Sequence, residues 1–170
     1  MPSRETFSTT DEVVEIVPTP HVQDWYPRHA SAPDQGQWFW NNSLADAAQL
    51  LDAHFNDPLR CWVLYIDAEH DPGQAVGGTS GIALLPRHDL LGLIGQSIFA
   101  GEEAISRWYG GLAHELGHAL GLPHPAPCET NPHHIDCESL MMYGFRRYPK
   151  TRLLREDLER LRRSPFFSGA

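Results

Sequence analysis

Hydrophobic positions follow two patterns in the first third of the chain, and each predicts a different element. Residues 11–17 (DEVVEIV) are rich in β-branched side chains and predict a short strand. From Ser43, a predicted N-cap, apolar residues recur three or four positions apart up to Pro58, which predicts a helix. Residues 21–42 carry prolines, a glycine and clustered aromatic side chains, and they predict an irregular loop packed onto the protein body. The apolar positions of the helix are Leu44, Ala47, Ala48, Leu51 and Phe55.

Continuous apolar runs in the middle of the chain predict strands of a buried sheet. These runs are residues 61–67 (CWVLYID) and 81–85 (GIALL), with a turn rich in glycine and proline predicted over residues 71–78. Further along the chain, residues 105–120 have the apolar spacing of a helix. Residues 153–163 predict a last helix, which is charged on its surface and has leucines three or four positions apart.

Composition and charge narrow the functional classes. Of the 170 residues, 41% are hydrophobic and 21% are charged, which supports a buried core and argues against wholesale disorder. The formal net charge is −9 and the chain has no Lys/Arg cluster, so we expect neither nucleic acid nor an anionic membrane as a partner. No stretch approaches the ~20 apolar residues of a membrane-spanning helix. The unusual count is histidine, with 10 residues.

The cysteines and the polar N-terminus leave the compartment open. Cys128 and Cys137 would close a short loop and can form a disulfide, whereas Cys61 lies in an apolar run and is predicted to be a buried thiol. Residues 1–10 lack the apolar core of a secretory signal. We therefore expect a cytoplasmic protein if Met1 is the native start, and a secreted protein if a presequence has been removed.

The strongest chemical signal is the segment HELGHALGLPH, which begins at His114. On a helix, His114 and His118 lie on one face, where both imidazoles can bind one metal ion. Gly121 allows the helix to stop and the chain to turn back, which brings His124 to the same ion as a third ligand. Three neutral imidazoles with a fourth position open for water are typical of a catalytic zinc site, and Glu115 is placed as its general base. The alternative is a helix whose histidines are hydrogen-bonded near a core.

A second motif, SLMMYG, follows downstream and begins at Ser139. The HExxHxxGxxH pattern followed by a Ser-x-Met-x-Tyr turn resembles the metzincin clan of zinc peptidases, over residues 110–143 of this chain. By that resemblance, Met141 is the turn methionine that lies beneath the three imidazoles. Tyr143 is similar to the tyrosine that astacin- and serralysin-like members place near the metal, where it ligates zinc or hydrogen-bonds the oxyanion. Without the resemblance, Met141 is an ordinary core residue.

The resemblance also implies a fold and a way to bind substrate. The expected fold is one metzincin-like α+β domain over residues 1–170, whose upper part, about residues 1–121, holds a twisted mixed sheet, a backing helix and the active-site helix. A smaller, irregular lower part, about residues 122–170, ends in a helix. In metzincins an edge strand before the active-site helix binds the extended peptide by backbone pairing, and a plain core strand is the equal alternative here. The candidate edge-strand residues are Gly81, Ile82, Ala83 and Leu84.

These features together predict a zinc-dependent endopeptidase, a metalloprotease with one catalytic Zn²⁺. The zinc would lower the pKa of its water toward ~7, Glu115 would accept the proton, and Tyr143 would stabilise the oxyanion if the likeness holds. We expect a peptide or protein substrate and a monomeric enzyme. One alternative is a zinc hydrolase that acts on a small amide or on one dedicated peptide. Another is a zinc-stabilised binding module without catalysis, against which the presence of Glu115 counts.

Two other groups of potential ligands are weaker. His133 and His134 lie in the loop between Cys128 and Cys137, where a second metal site is one interpretation and solvated side chains are the simpler one. The carboxylates of residues 67–71 match no calcium-loop spacing. The remaining histidines are interpreted as structural or surface residues: His21, His29, His54, His70 and His88.

Overall fold

Three consecutive strands lie between two groups of helices in the computed structural model, which describes residues 14–164, 166 and 167. Within these residues, three strands in one mixed sheet and six α-helices confirm the α+β class. The strands are β1 (Trp62–Tyr65), β2 (Gly77–Thr79) and β3 (Ile82–Leu85). The helices are α1 (Trp25–Arg28), α2 (Trp38–Leu51), α3 (Arg87–Leu93), α4 (Ile105–Ala119), α5 (Pro127–Thr130) and α6 (Arg155–Leu161). Short 3₁₀ turns occupy Gln35–Gln37, Ile135–Glu138 and Gly144–Arg147.

The sheet has the order β1-β3-β2, with β3 in the centre. β1 runs parallel to β3, with Trp62 opposite Ile82, and β2 runs antiparallel to β3, with Thr79 opposite the same Ile82. Because β3 is hydrogen-bonded on both sides and all of its residues are buried, the prediction that residues 81–84 form a substrate-binding edge strand is wrong. The two edge strands are β1 and β2, and β2, which packs against α4, lies largely in the turn predicted over residues 71–78.

Apolar side chains of α2 pack on one face of the sheet. Phe39 is fully buried in a cluster with Leu84, and Ala47 lies in a second cluster with Ile82. Burial of a phenylalanine side chain contributes about 2–3 kcal/mol to folding. Ala83, between Ile82 and Leu84, points to the opposite face because side chains alternate along a strand. On that face α4 packs against β2 and β3, so the sheet holds α4 in place.

Helix α2 begins earlier than the hydrophobic spacing predicts. Its first residue is Trp38, and Ser43, the predicted N-cap, is buried inside the helix. The aromatic residues of the predicted loop form the first turn because Phe39 is buried against the sheet. The helix ends at Leu51, well before Pro58, because Asp52 takes a left-handed backbone conformation with φ 56°.

The strand predicted at residues 11–17 does not form over residues 14–17, and residues 11–13 lie outside the described residues. Val14 and Ile16 are 75% and 90% exposed, so this β-branched run lacks a sheet that would bury it. The two central strand predictions are confirmed, since β1 and β3 lie inside the predicted runs. In the described part of the chain, no helix is long and apolar enough to cross a membrane.

The second half of the chain contains both predicted helices, α4 and α6. Two further helices, α3 and the short α5, form where the apolar spacing predicts no helix. The predicted disulfide between Cys128 and Cys137 is present. Cys61 is a free thiol that is only partly buried, and this burial raises its pKa to about 11.

Candidate metal centre

Three histidine side chains converge at the C-terminal end of α4. His114 and His118 lie one helical turn apart, and the helix ends at Ala119. Gly121, with a left-handed φ of 87°, turns the chain back so that His124 reaches the same point. The Nε2 atoms lie 3.1 Å apart in His114 and His118, 3.0 Å apart in His118 and His124, and 3.4 Å apart in His114 and His124. The prediction that these three imidazoles can share one metal ion is confirmed.

The triangle of Nε2 atoms has the size that a metal ion needs. A tetrahedral ion with metal–nitrogen bonds of ~2.0–2.1 Å holds neighbouring ligand atoms ~3.3 Å apart. The observed separations of 3.0 to 3.4 Å lie close to that value. Among the described residues, no fourth His, Cys, Asp or Glu joins the group. The side chains therefore fit a metal ion that keeps one position without a protein ligand.

Hydrogen bonds behind the imidazoles determine which ring nitrogen carries the proton. His114 Nδ1 lies 2.7 Å from the carbonyl oxygen of Leu140, and His118 Nδ1 lies 2.7 Å from that of Leu122. A carbonyl oxygen can only accept, so in each neutral ring Nδ1 donates and Nε2 presents a lone pair. Two lone pairs 3.1 Å apart repel each other unless a cation lies between them. Carbonyl partners of this kind are typical of metal-binding histidines.

Burial favours the neutral form of the two helical histidines. Desolvation lowers the pKa of His114 to about 4, and desolvation also lowers the pKa of His118. Neutral imidazole is the form that binds a metal ion, so these ligands need not lose a proton at neutral pH. His124 is exposed, which leaves one side of the triangle accessible to solvent.

Glu115 lies next to His114 on α4 and contacts the edge strand β2. Its carboxylate lies against this strand, since a methyl group at Gly77 would lie 2.8 Å from its Oε2 atom. Desolvation by burial raises the pKa of Glu115 to about 7. Glu115 and His114 line the same cavity, which has a volume of about 160 Å³. A partly desolvated carboxylate beside the metal ligands is suited to accept a proton.

The close contact between β2 and α4 depends on the lack of a side chain at Gly78. A Cβ atom at this position would overlap the backbone carbonyl oxygen of Glu115 and come within 3.0 Å of His118 Cβ. The strand can therefore lie directly on the helical turn that carries Glu115 and His118.

We expect Gly78→Ala to lower the free energy of unfolding by about 2–3 kcal/mol, because the backbone of α4 must move to admit the methyl group. Gly111→Ala is the matched control. Its methyl group would meet a side-chain atom, Arg107 Nη1 at 2.8 Å, and not the backbone of another element, so its loss of stability should be smaller. Urea unfolding followed by circular dichroism measures both variants. Unchanged stability of Gly78→Ala would contradict the packing of β2 on α4.

Met141 and its preceding residue contact the histidine-bearing turns of α4. Met141 is fully buried, and its sulfur occupies the space that a side chain at Gly117 would need. Leu140 supplies the carbonyl group that orients His114. The segment is closed by a 2.8 Å hydrogen bond from the Gly144 backbone N–H to the Ser139 carbonyl oxygen. The second sequence motif therefore packs against the first.

Tyr143 is placed differently from the other candidate residues. Its side chain is 46% exposed and lines a second cavity together with His133 and His134. Within the described part of the chain, it makes no hydrogen bond or ring contact with the three histidine ligands. The aromatic ring that packs on the site belongs to Phe145, whose centroid lies 5.1 Å from that of His114. The role of Tyr143 as an oxyanion donor stays a prediction.

No second metal-binding group is found among the described residues, so neither the paired loop histidines nor the carboxylates of residues 67–71 form one. Sequence reasoning missed two polar residues of the 160 Å³ cavity, Asp89 and Arg107. Neither residue belongs to a recognisable motif. His88, which lies beside them, is not spaced from other potential ligands as metal-binding residues are. In the structure, His88 Nδ1 lies 2.7 Å from Glu69 Oε2 and its Nε2 lies 3.3 Å from Asp89 Oδ2.

Comparisons with known proteins assign no family to this chain. No family model, no curated protein and no solved structure matches the chain. The functional interpretation therefore depends on the residues of the site.

Proposed function

We propose that this chain is a zinc-dependent endopeptidase of the metzincin type. The observation that carries the proposal is the convergence of three imidazole Nε2 atoms within 3.4 Å of one another, two of which present lone pairs because their Nδ1 atoms donate to carbonyls. Imidazole ligands favour zinc over calcium and magnesium, which prefer oxygen. A set of three ligands favours catalysis, because structural zinc sites use four protein ligands.

Each residue of the site has a task in the proposed hydrolysis. A zinc ion held by the three histidines would supply the chemistry that acidifies a water molecule and polarises the carbonyl group of the substrate. Glu115 accepts the proton of the attacking water and then donates it to the departing amine. Gly77 and Gly78 of β2 lie against Glu115 and restrict the position of its side chain. The carbonyls of Leu140 and Leu122 hold two of the imidazoles in the orientation that directs Nε2 to the metal.

The edge strand β2 takes the substrate-binding role in this proposal. It is antiparallel to β3, it lies at the edge of the sheet, and its Gly77 and Gly78 contact Glu115. A peptide that pairs with this edge as a further strand gains backbone hydrogen bonds whatever its sequence. The general base would then lie next to one of its peptide bonds.

Metal analysis combined with cleavage assays tests the proposed function. We expect one zinc ion per chain, cleavage of an unstructured protein and of a mixed peptide library, and loss of cleavage when phenanthroline removes the metal. Re-addition of zinc should restore cleavage. Small amides assayed in parallel test the alternative of a small-amide hydrolase. Bound zinc without cleavage of any substrate would favour the non-catalytic binding module, and absence of bound metal would contradict the site itself.

A further inference from the structure

The cavity shared by His114 and Glu115 extends along α4 away from the metal-binding end. Arg107, Gly111 and Glu115 are spaced four residues apart on one face of the helix and cover ~12 Å of its length. All three line the cavity, together with Asp89 from α3. The cavity therefore joins the catalytic base to charged groups that the proposed hydrolysis does not use.

The absence of a side chain at Gly111 makes room for this cavity. A methyl group there would lie 2.8 Å from Arg107 Nη1 and 3.6 Å from Asp89 Oδ1. Apolar side chains, among them Leu85 and Phe145, form other parts of the wall. A side chain that fills the cavity thus meets an apolar surface and two charged groups.

The negative charge of the buried Asp89 carboxylate is only partly balanced by other groups of the protein. Asp89 is only 8% exposed, and its carboxylate accepts no hydrogen bond from the described residues. The ion-pair partner is His88, whose Nε2 lies 3.3 Å from Asp89 Oδ2 and whose Nδ1 is already engaged by Glu69 at 2.7 Å. One imidazole therefore serves two carboxylates. Desolvation raises the pKa of Asp89, and the charges of His88, Arg107 and His70 offset only part of that rise. A buried carboxylate in this condition is stabilised by a hydrogen-bond donor that enters the cavity.

Arg107, in contrast, is held by the protein itself. Its Nε atom lies 2.9 Å from Glu102 Oε2, and its guanidinium lies over the rings of Trp108 at 4.6 Å and Phe145 at 4.7 Å. Glu102 and the two aromatic faces therefore satisfy much of its charge. Asp89 remains the charged group of the cavity that most needs a partner.

We propose that this cavity selects a lysine or arginine next to the scissile bond, and that Asp89 binds the cationic end of that side chain. The inference rests on the proposed peptidase function and names its substrate class, namely peptides and unfolded protein segments with a basic residue beside the cleaved bond. The aliphatic stem of the basic side chain packs on apolar walls such as Leu85. An acidic side chain is disfavoured by repulsion from Asp89.

Two peptides that differ at one position test this assignment. A library randomised at both positions flanking the scissile bond first shows which of them prefers a basic residue. The two peptides then carry lysine or norleucine at that position, since norleucine has the same chain length without the ammonium group. For the zinc-loaded protein, we expect kcat/KM to be about 10- to 100-fold higher for the lysine peptide, as is typical of a hydrogen bond to a charged group.

Asp89→Asn removes the negative charge with little change in shape, and the lysine-to-norleucine ratio of kcat/KM should fall to within about threefold of unity. Asp24→Asn is the matched control, because Asp24 is an exposed residue whose ion pair is with Arg28 at 3.8 Å. Equilibrium binding gives a second readout. In the Glu115→Gln background, fluorescence anisotropy should show tighter binding of the lysine peptide, and the added Asp89→Asn substitution should remove the difference.

The outcomes distinguish this inference from the proposed function. Cleavage without a basic preference at either flanking position would overturn the role of Asp89 and leave the peptidase function intact. A preference for acidic residues would assign the cavity to Arg107 and would also overturn it. A lysine-to-norleucine ratio that Asp89→Asn does not change has the same consequence. If no peptide is cleaved or bound, the proposed function and this inference fail together.

Discussion

Substitution of Glu115 by glutamine should lower kcat for the proposed peptide cleavage by about 10²- to 10⁴-fold, the loss expected when a general base is removed. Glutamine keeps the length and shape of the side chain, so it can occupy the same space against Gly77 and Gly78. The packing of α4 on β2 is therefore retained, and only the ability to accept a proton is lost. KM and zinc content should stay close to their original values, because His114 and His118 are unchanged.

Steady-state kinetics with one fluorogenic peptide, together with zinc analysis of the same samples, measure both effects. Glu129→Gln is the matched control, since Glu129 is exposed on α5. Its kcat should equal that of the unsubstituted chain. Full activity of Glu115→Gln would remove this carboxylate from the mechanism. Loss of zinc together with activity would show that Glu115 maintains the structure of the site rather than the chemistry.

Substitution of His118 by alanine should abolish both metal binding and cleavage. His118 Nε2 lies 3.1 Å from that of His114 and 3.0 Å from that of His124, so its loss leaves two ligands on one side of the ion. Loss of a residue that hydrogen-bonds a metal ligand typically weakens metal affinity by about 10- to 100-fold. We expect loss of the ligand His118 itself to weaken the affinity by more than that. Cleavage should fall to the level of buffer alone.

Competition with a chromophoric chelator measures the affinity, and thermal unfolding with and without zinc gives an independent readout. Zinc at 100 times its Kd raises the free energy of unfolding by about 2.7 kcal/mol if it binds only the folded chain. We expect this stabilisation in the unsubstituted chain and in His133→Ala, whose histidine is exposed and outside the triad. Zinc stabilisation that persists in His118→Ala would contradict the triad as the binding site.

The metal-binding group could be predicted from the sequence because it depends on local backbone geometry. Helical periodicity brings His114 and His118 to one face, and Gly121 supplies the left-handed residue that turns the chain toward His124. These relations hold within 11 residues and need no information about the rest of the fold. The carbonyl partner of His118, at Leu122, lies within the same segment.

The sheet was predicted less completely, because strand order depends on distant pairing. The apolar run at residues 81–85 indicates burial, and the structure attributes that burial to a central position between β1 and β2. The edge strand β2 contains Gly77 and Gly78, and glycine has low strand propensity and is typical of turns. At residues 14–17 a strand is predicted but does not form, because no partner strand covers these β-branched residues.

The aromatic segment before Ser43 shows that the start of a helix can also depend on tertiary contacts. Its apolar spacing is irregular, yet it forms the start of α2 because Phe39 is buried in a cluster with Tyr26 of α1 and Leu84 of β3. Tertiary contacts here outweigh local preference, as they commonly do for aromatic residues of moderate helix propensity.

By itself, the sequence determined the three imidazoles, the adjacent carboxylate and the turn that unites them, since each follows from the dihedral preferences of neighbouring residues. Only the tertiary structure decided which strand lies beside Glu115 and which carboxylate lines the cavity next to it. Asp89 and Arg107 belong to different helices, and their proximity results from the packing of α3 on α4 around a glycine. Such contacts are set by the burial of the whole core, which no short segment of the chain encodes.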